Sequence, residues 1–159
     1  QASGSNPRFL SGDYGTSTPT STYFYVRNYA GSTTNDNGDN YVAYCFHSVD
    51  GFSKMGTYTG NGSADGPFVY TGFRPAFVMF KRTDTTGRWS IADTSRDPEN
   101  IVGSIFYADG NDAEIDVGFV DYVSNGFKIR STGTSVNASG GTYIYMAFAE
   151  QPMKFSNAR

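Results

Sequence analysis

One leucine, one cysteine, one histidine and one tryptophan stand in a chain of 159 residues, and each scarcity removes a class of protein. Helical domains are built on leucine, alanine, glutamate and lysine. Here Leu10 is alone, while 13 Phe and 12 Tyr supply the apolar mass, a composition that predicts β-structure. With Cys45 as the sole cysteine no intrachain disulfide can form, and its strand-like setting reads as that of a small core residue. His47 has no second histidine and no paired sulfur ligand to share a zinc ion with, so it reads as a structural histidine. His47, Ser48 and Asp50 also lie too close in sequence to form a triad, whose members converge from separate segments. No run of Lys or Arg exists, and 12 basic against 15 acidic side chains leave a net charge of −3, which argues against a nucleic-acid partner. There is no long apolar run, and QASGSNPRF has neither a basic start nor an apolar middle, so the sequence predicts neither a membrane span nor a signal peptide within it. Opening on Gln1 rather than Met, it reads as a fragment or a processed product.

What is abundant is turn chemistry. Nineteen Gly, with many Ser, Thr, Asn and Asp, fit short strands joined by tight turns in one domain large enough to bury a core. Residues 1–22, rich in Ser, Thr and Gly, read as an arm or linker in which only Phe9, Leu10 and Tyr14 could anchor. The remainder, residues 23–159, reads as the β-domain. Its centre is the apolar run Pro75 to Phe80 between Arg74 and Lys81, the pattern of a strand covered on both faces. Strands are expected near 52–59, 68–72, 75–82, 88–93, 101–107 and 115–123. Eight to ten short strands at this spacing predict an all-β, antiparallel β-sandwich of jelly-roll or lectin-like type, with little or no helix. One helical turn is expected at 97–101, where Asp97 and Pro98 resemble a cap and a first-turn proline.

A hairpin pattern occurs twice. YFYVRNY, a polar loop and YVAYCFH in residues 23–47 correspond to GFKIRST, GTSVNASGG and TYIYMAFAE in residues 127–149. Val26-Arg27 matches Ile129-Arg130, Gly38 matches Gly140, Tyr41 matches Tyr143 and Phe46 matches Phe148. The first copy is either the closing hairpin of a preceding module or the mate of the last hairpin in this one. In the second copy Tyr143, Tyr145 and Ala147 share one face, and Ile144, Met146 and Phe148 the other. Apolar residues on both faces predict a central strand or one at a subunit interface.

Candidate chemistry is thin. Asp84, Asp93, Asp97, Glu99, Asp112, Glu114 and Asp116 could supply the carboxylate pair of a glycosidase, but any acidic β-protein offers as many. Glu114 and Asp116, which share strand parity, are the pair to test. Asp93 with Arg96, and Arg82 with Asp84, read as ion pairs or turn anchors. The oxygen-rich loop Asn35-Asp36-Asn37-Gly38-Asp39-Asn40 lacks the far-end Glu of a calcium loop and contains a hairpin Asn-Gly, so a turn is favoured over a calcium site. Asp109-Gly110-Asn111-Asp112 reads the same way. Asn61 and Asn137 match the glycosylation acceptor pattern, which has meaning only in a secretory setting. No catalytic residue, metal ligand or cofactor is nominated.

The run YTGNGSADGPFVYTGFRPAFVMFKRTDTTGRWSIADTSR, then SNGFKIR, then NASGGTYIYMAFAEQP, resembles an uncharacterised domain of tail-fibre and other virion structural proteins of tailed, particularly marine, bacteriophages. The resemblance spans about residues 37 to 153, with NGDNYVAYCFHSVDGFSKMGTY as the junction that enters it. Phe77 departs from it, standing where the pattern has Trp, and residues 1–22 match none of it. It implies a β-rich, non-catalytic module on the virion surface, of adhesin type, working as a homotrimer or larger array with a host-surface glycan or protein as partner. The alternatives are a self-assembling structural subunit, as in a virion decoration or extracellular filament, and a polysaccharide depolymerase fragment.

Overall fold

Alternation of large apolar and polar residues builds eight strands in the computed structural model, which describes residues 20–24, 26 and 37–151. They are β1 (Ser53–Thr59), β2 (Phe68–Tyr70), β3 (Pro75–Arg82), β4 (Trp89–Asp93), β5 (Val102–Tyr107), β6 (Ile115–Val123), β7 (Gly126–Ile129) and β8 (Thr142–Ala149). Every strand expected between residues 52 and 149 is present. All pairings are antiparallel, and the strands form one sheet in the order β1-β8-β3-β4-β5-β6-β7-β2. The last strand in the chain therefore lies between β1 and β3. The sheet is complete only when β8 is in place.

The sheet curls nearly closed, like a barrel, because its inner face must bury a set of aromatic rings from strands far apart in the order. Tyr58 of β1 lies 6.2 Å from Phe127 of β7, and Phe80 of β3 lies 5.6 Å from Phe119 and 5.5 Å from Phe127. Tyr145 meets Phe127 edge-on at 5.2 Å. Val78, Ala92, Ile105, Val120, Ile129 and Ala147 fill the space between the rings and are buried. Each such aromatic pair contributes about 0.5–1.5 kcal/mol beyond its area term through the edge-to-face geometry. Gly56 is required where Tyr145 crosses β1, since a Cβ there would sit 2.7 Å from the Tyr145 hydroxyl oxygen. Gly118, with φ +57, stands within β6 where the pairing with β5 shifts register, a bulge that re-aims the strand.

The outward face is apolar too, as the two-sided pattern of β8 predicts. Met55, Met146, Met79, Ile91 and Phe106 are successive cross-strand partners over β1, β8, β3, β4 and β5. Beside this row, Phe148 is met edge-on by Phe52 at 6.0 Å and by Phe46 at 5.9 Å. Phe77 lies 6.0 Å from Phe148 on the same face.

Three expectations are corrected. The helical turn at 97–101 does not form; the helix among the described residues is α1 (Thr134–Asn137) in the loop before β8. Asp97 does not cap a helix there because its carboxylate accepts hydrogen bonds from Gly103 N at 2.7 Å and Ser104 N at 3.4 Å, holding the segment to β5. The strand expected over 41–47 is absent, and Cys45, expected in the core, is exposed. An extended segment apolar on both faces needs a strand on each edge and a layer on each side, and without them it gains nothing from the β conformation.

The chain divides into two units, residues 7–45 and the unit that holds the sheet. In the first, Thr20 and Tyr23 close a turn, the Thr20 N donating to Tyr23 O at 2.9 Å, and Asn37-Gly38 forms a second turn with Gly38 at φ 91. The expected arm 1–22 lies outside the described residues except for residues 20–22, and the first strand and loop of the 23–47 hairpin except for Tyr23, Phe24, Val26 and residues 37–40.

Candidate functional site

Charged side chains with aromatic neighbours collect at one end of the sheet, where β3 ends, β4 begins and β5 turns toward β6. The position follows from local sequence. The TDTTG turn after β3 carries Gly87 and Arg88 back to Trp89, and the DGND turn after β5 presents Asp109 and Asp112 opposite them. Backbone pairing of Ala108 N with Trp89 O at 3.0 Å fixes the two turns side by side.

Arg88 is the centre of this corner. Its guanidinium carbon lies 4.4 Å from the centroid of the Tyr107 ring, a cation–π contact. Its Nε donates to Asp109 Oδ1 at 3.1 Å and its Nη2 to Asp112 Oδ2 at 2.7 Å. Asp109 Oδ1 also accepts from Trp89 N at 3.2 Å. The Asp109 side chain is 2% exposed, and its Oδ2 is buried without a hydrogen-bond partner. Lys81, from the end of β3, is 1% exposed, donates from Nζ to Gly87 O, and lies 5.6 Å from the Trp89 ring. Burial pulls the Lys81 ammonium below its ordinary pKa, and the Asp109 charge opposes that shift. Asp112 and Arg88 are the members that reach solvent. The corner thus joins a solvent-reaching guanidinium and carboxylate to an aromatic ring.

A second arginine corner sits past the other end of β4. Arg96 donates to Asp93 Oδ2 from Nε at 2.8 Å and to Glu114 Oε2 from Nη1 at 2.6 Å, with its guanidinium carbon 4.3 Å from the Phe106 centroid. Burial pushes the Asp93 carboxyl up, but the hydrogen bonds from the Arg96 side chain and backbone hold it below the usual range. Arg82 grips Asp84 through two hydrogen bonds at 2.8 and 2.9 Å, which take the Asp84 carboxyl down to about 2. Both pairs expected from the sequence are therefore formed.

Five of the seven carboxylates nominated for glycoside chemistry, Asp84, Asp93, Asp97, Asp112 and Glu114, are held by other groups. Glu114 is bound to Arg96, while Asp116 lies opposite Ser104 in the β5–β6 ladder, and both are exposed. Asp97 accepts from β5 amides, Asp84 and Asp93 hold arginines, and Glu99 is exposed. His47 contributes its carbonyl oxygen, which accepts from Ser53 Oγ at 2.9 Å. No group of three or more metal-ligating side chains occurs among the described residues, and Asn35 and Asp36 of the oxygen-rich loop lie outside them. Asn137 is fully buried, its amide engaged by Asn61, Ser63 and Ser131, so the acceptor pattern there marks a structural amide.

In the sequence Asp109 and Asp112 read as a turn, and Asp112 also as a candidate carboxylate, while Arg88, Tyr107 and Lys81 carry no site reading. The one available signal was Arg88-Trp89 directly before a strand, and it names no partner until the β5–β6 turn is placed beside it. The model of a family described as a domain of unknown function, DUF7483, matches residues 5–152. This chain is a member of the DUF7483 family. No curated protein and no solved structure matches it. The DUF7483 match takes in all eight strands and both arginine corners, and it also takes in the segment 37–48 that precedes the sheet.

Proposed function

We propose that this DUF7483 domain is a non-catalytic module of the virion surface of a tailed phage, of tail-fibre or adhesin type, that binds a host-surface glycan through the corner around Arg88. The observation that carries the reading is the preset geometry of Arg88, held at once by Tyr107, Asp109 and Asp112 on loops at the end of a rigid sheet. Recognition favours such a design, because a sheet fixes the loops and ordered side chains lose little entropy on binding. The phage setting rests on the sequence resemblance. A sandwich of lectin-like type agrees with the facing of β3 and β8 against β6 and β7 across the aromatic core. Weak single sites gain avidity by repetition, so a homotrimer or larger array at the virion surface accompanies the proposal.

Screening the full chain against a glycan array, with its mass measured by light scattering, tests this reading. Retention of one glycan class by an oligomer supports it. A monomer that retains no glycan removes it.

The half-buried outward residues Met55, Met146, Met79 and Phe106, flanking the buried Ile91, support a second reading, a structural subunit whose main partner is itself. In that case an oligomer forms without any glycan, and a charge placed in the row, as in Met79→Glu, returns it to a monomer.

A further inference from the structure

We propose that residues 41–47 are a β8-type strand whose sheet is supplied by a neighbouring copy of this fold. In the C-terminal hairpin, β8 lies between β1 and β3 and is hydrogen-bonded on both edges. Tyr143, Tyr145 and Ala147 point inward and are buried, while Ile144, Met146 and Phe148 form part of the outward face. Position for position, the earlier segment places Tyr41, Ala43 and Cys45 at the inward sites and Val42, Tyr44 and Phe46 at the outward ones.

The structure adds an observation that sequence could not supply. Both segments are entered through a left-handed glycine, Gly38 at φ 91 and Gly140 at φ 72. The turn that launches β8 is thus repeated ahead of residue 41. Yet the earlier segment carries no strand, and Val42 and Tyr44 are 77% and 81% exposed, while Phe46 at its end rests edge-on against Phe148. A strand pattern with its launching turn, left outside a sheet, identifies its partner by what holds its twin: strands of β1 and β3 type.

This sheet is not itself the acceptor. Its own β8 fills the place between β1 and β3. The outer edge of β1 is occupied at Ser53 and Met55, where the chain enters, by the Val49–Ser53 bridge and by the Ser48 hydroxyl, which accepts from Met55 N at 3.0 Å and donates to Met55 O at 3.4 Å. The inward residues point the same way. Ala43 stands where β8 has Tyr145, the ring that lies against Gly56, so the acceptor carries a side chain at the place of Gly56. The partner is a related module rather than an identical one, and the DUF7483 domain is a unit of a tandem array in which each hairpin of this type closes the sheet before it.

The test places a second copy of residues 49–123 ahead of residue 20 in the full chain, and reads amide hydrogen exchange over 42–47. A second fusion carries Ala43→Tyr to refill the recess over Gly56. Exchange at 42–47 is expected to slow by about 100-fold or more relative to the parent chain in at least the second fusion, with β8 unchanged. A control whose front copy runs from 49 to 151, with its own β8, shows that the front sheet folds in this setting. If the control is protected while 42–47 exchange at the parent rate in both fusions, the proposal is overturned. Protection of 42–47 in the parent chain that rises with its concentration would also overturn it, assigning the strand to a second identical chain.

Discussion

Tyr58 of β1 and Tyr143 of β8 stack face to face, 4.9 Å between centroids and 11° apart, and their hydroxyls diverge to hold α1. Tyr58 donates to Val136 O at 2.8 Å; Tyr143 donates to Thr134 O at 2.8 Å and accepts from Ala138 N at 2.7 Å. Two rings in the core thereby fix the loop that enters the last strand. Tyr143→Phe removes partners from two half-buried groups at once, the Thr134 carbonyl and the Ala138 amide, and should cost about 1–3 kcal/mol. Tyr58→Phe orphans a single carbonyl oxygen, which has the weaker demand, and should cost about 1 kcal/mol. Urea denaturation of the two variants checks the order, and equal losses would contradict the division of labour described here.

Asn137 carries the same loop from the other side. Its Oδ1 accepts from Asn61 N at 2.8 Å, and its Nδ2 faces Ser63 O at 2.7 Å and Ser131 O at 2.8 Å. Asn137→Ala should destabilise by about 2–4 kcal/mol, since several buried groups lose their partner together. Asn137→Asp should be worse, because it turns acceptors on acceptors. Thermal melts of the three proteins give the comparison. An Asp variant as stable as the parent would mean that the amide is not needed as a donor.

Lys81 gives a stability change whose pH dependence can be read. Its ammonium is buried and pulled below its ordinary pKa, so the folded state binds the proton less well than the unfolded state does. Folding with Lys81 charged therefore carries a cost at neutral pH, one that fades as pH rises through the folded pKa toward 10.5. Lys81→Met keeps the apolar stem beside Ile144 and Trp89, its cross-strand partners, and should be about 1 kcal/mol more stable at pH 7. The advantage should shrink toward pH 10. A gain that stayed constant across that range would mean that the charge is not its source.

The acid limb has the opposite sign. Arg82 holds the Asp84 carboxyl at about 2 against an ordinary 3.8, so the pair favours the folded state above 3.8, and this contribution disappears as pH falls through about 2. Asp84→Asn should flatten the fall in stability between those pH values and lower the value near neutrality by the same amount, a small one for a pair screened by solvent. Denaturation midpoints at pH 6, 4 and 2.5 measure it.

Strand positions were legible in the sequence because alternation, β-branched and aromatic residues and turn glycines agree with one another from residue 52 to 149. The insertion of β8 between β1 and β3 was not, since pairing partners depend on long-range packing that period-two patterns leave open. Asp97-Pro98 looked like a helix start, yet two β5 amides compete for the same carboxylate and win. YVAYCFH looked like a strand because its pattern is that of β8, yet no strand forms there among the described residues. The site around Arg88 was hidden because it joins turns 20 residues or more apart, Arg88 with Asp109 and Asp112, whose proximity follows only from the β4–β5 pairing.

Within that corner, recognition and bracing can be separated by which carboxylate is altered. Asp109 is buried and bound to Arg88 and to the Trp89 amide, so Arg88→Ala strips a buried carboxylate of its cation and should cost about 1–3 kcal/mol whatever the corner binds. Asp112 is 54% exposed, and Asp112→Asn should leave stability within about 0.5 kcal/mol. If the corner binds a glycan, the same variant removes an anionic acceptor for a sugar hydroxyl, and binding to the retained glycan should fall about tenfold, the loss of one charge-assisted hydrogen bond. Titration of parent and variant with that glycan, alongside their urea midpoints, distinguishes the two roles. Unchanged affinity with unchanged stability would leave Arg88 and its carboxylates as a brace between two turns, with the glycan held elsewhere on the domain.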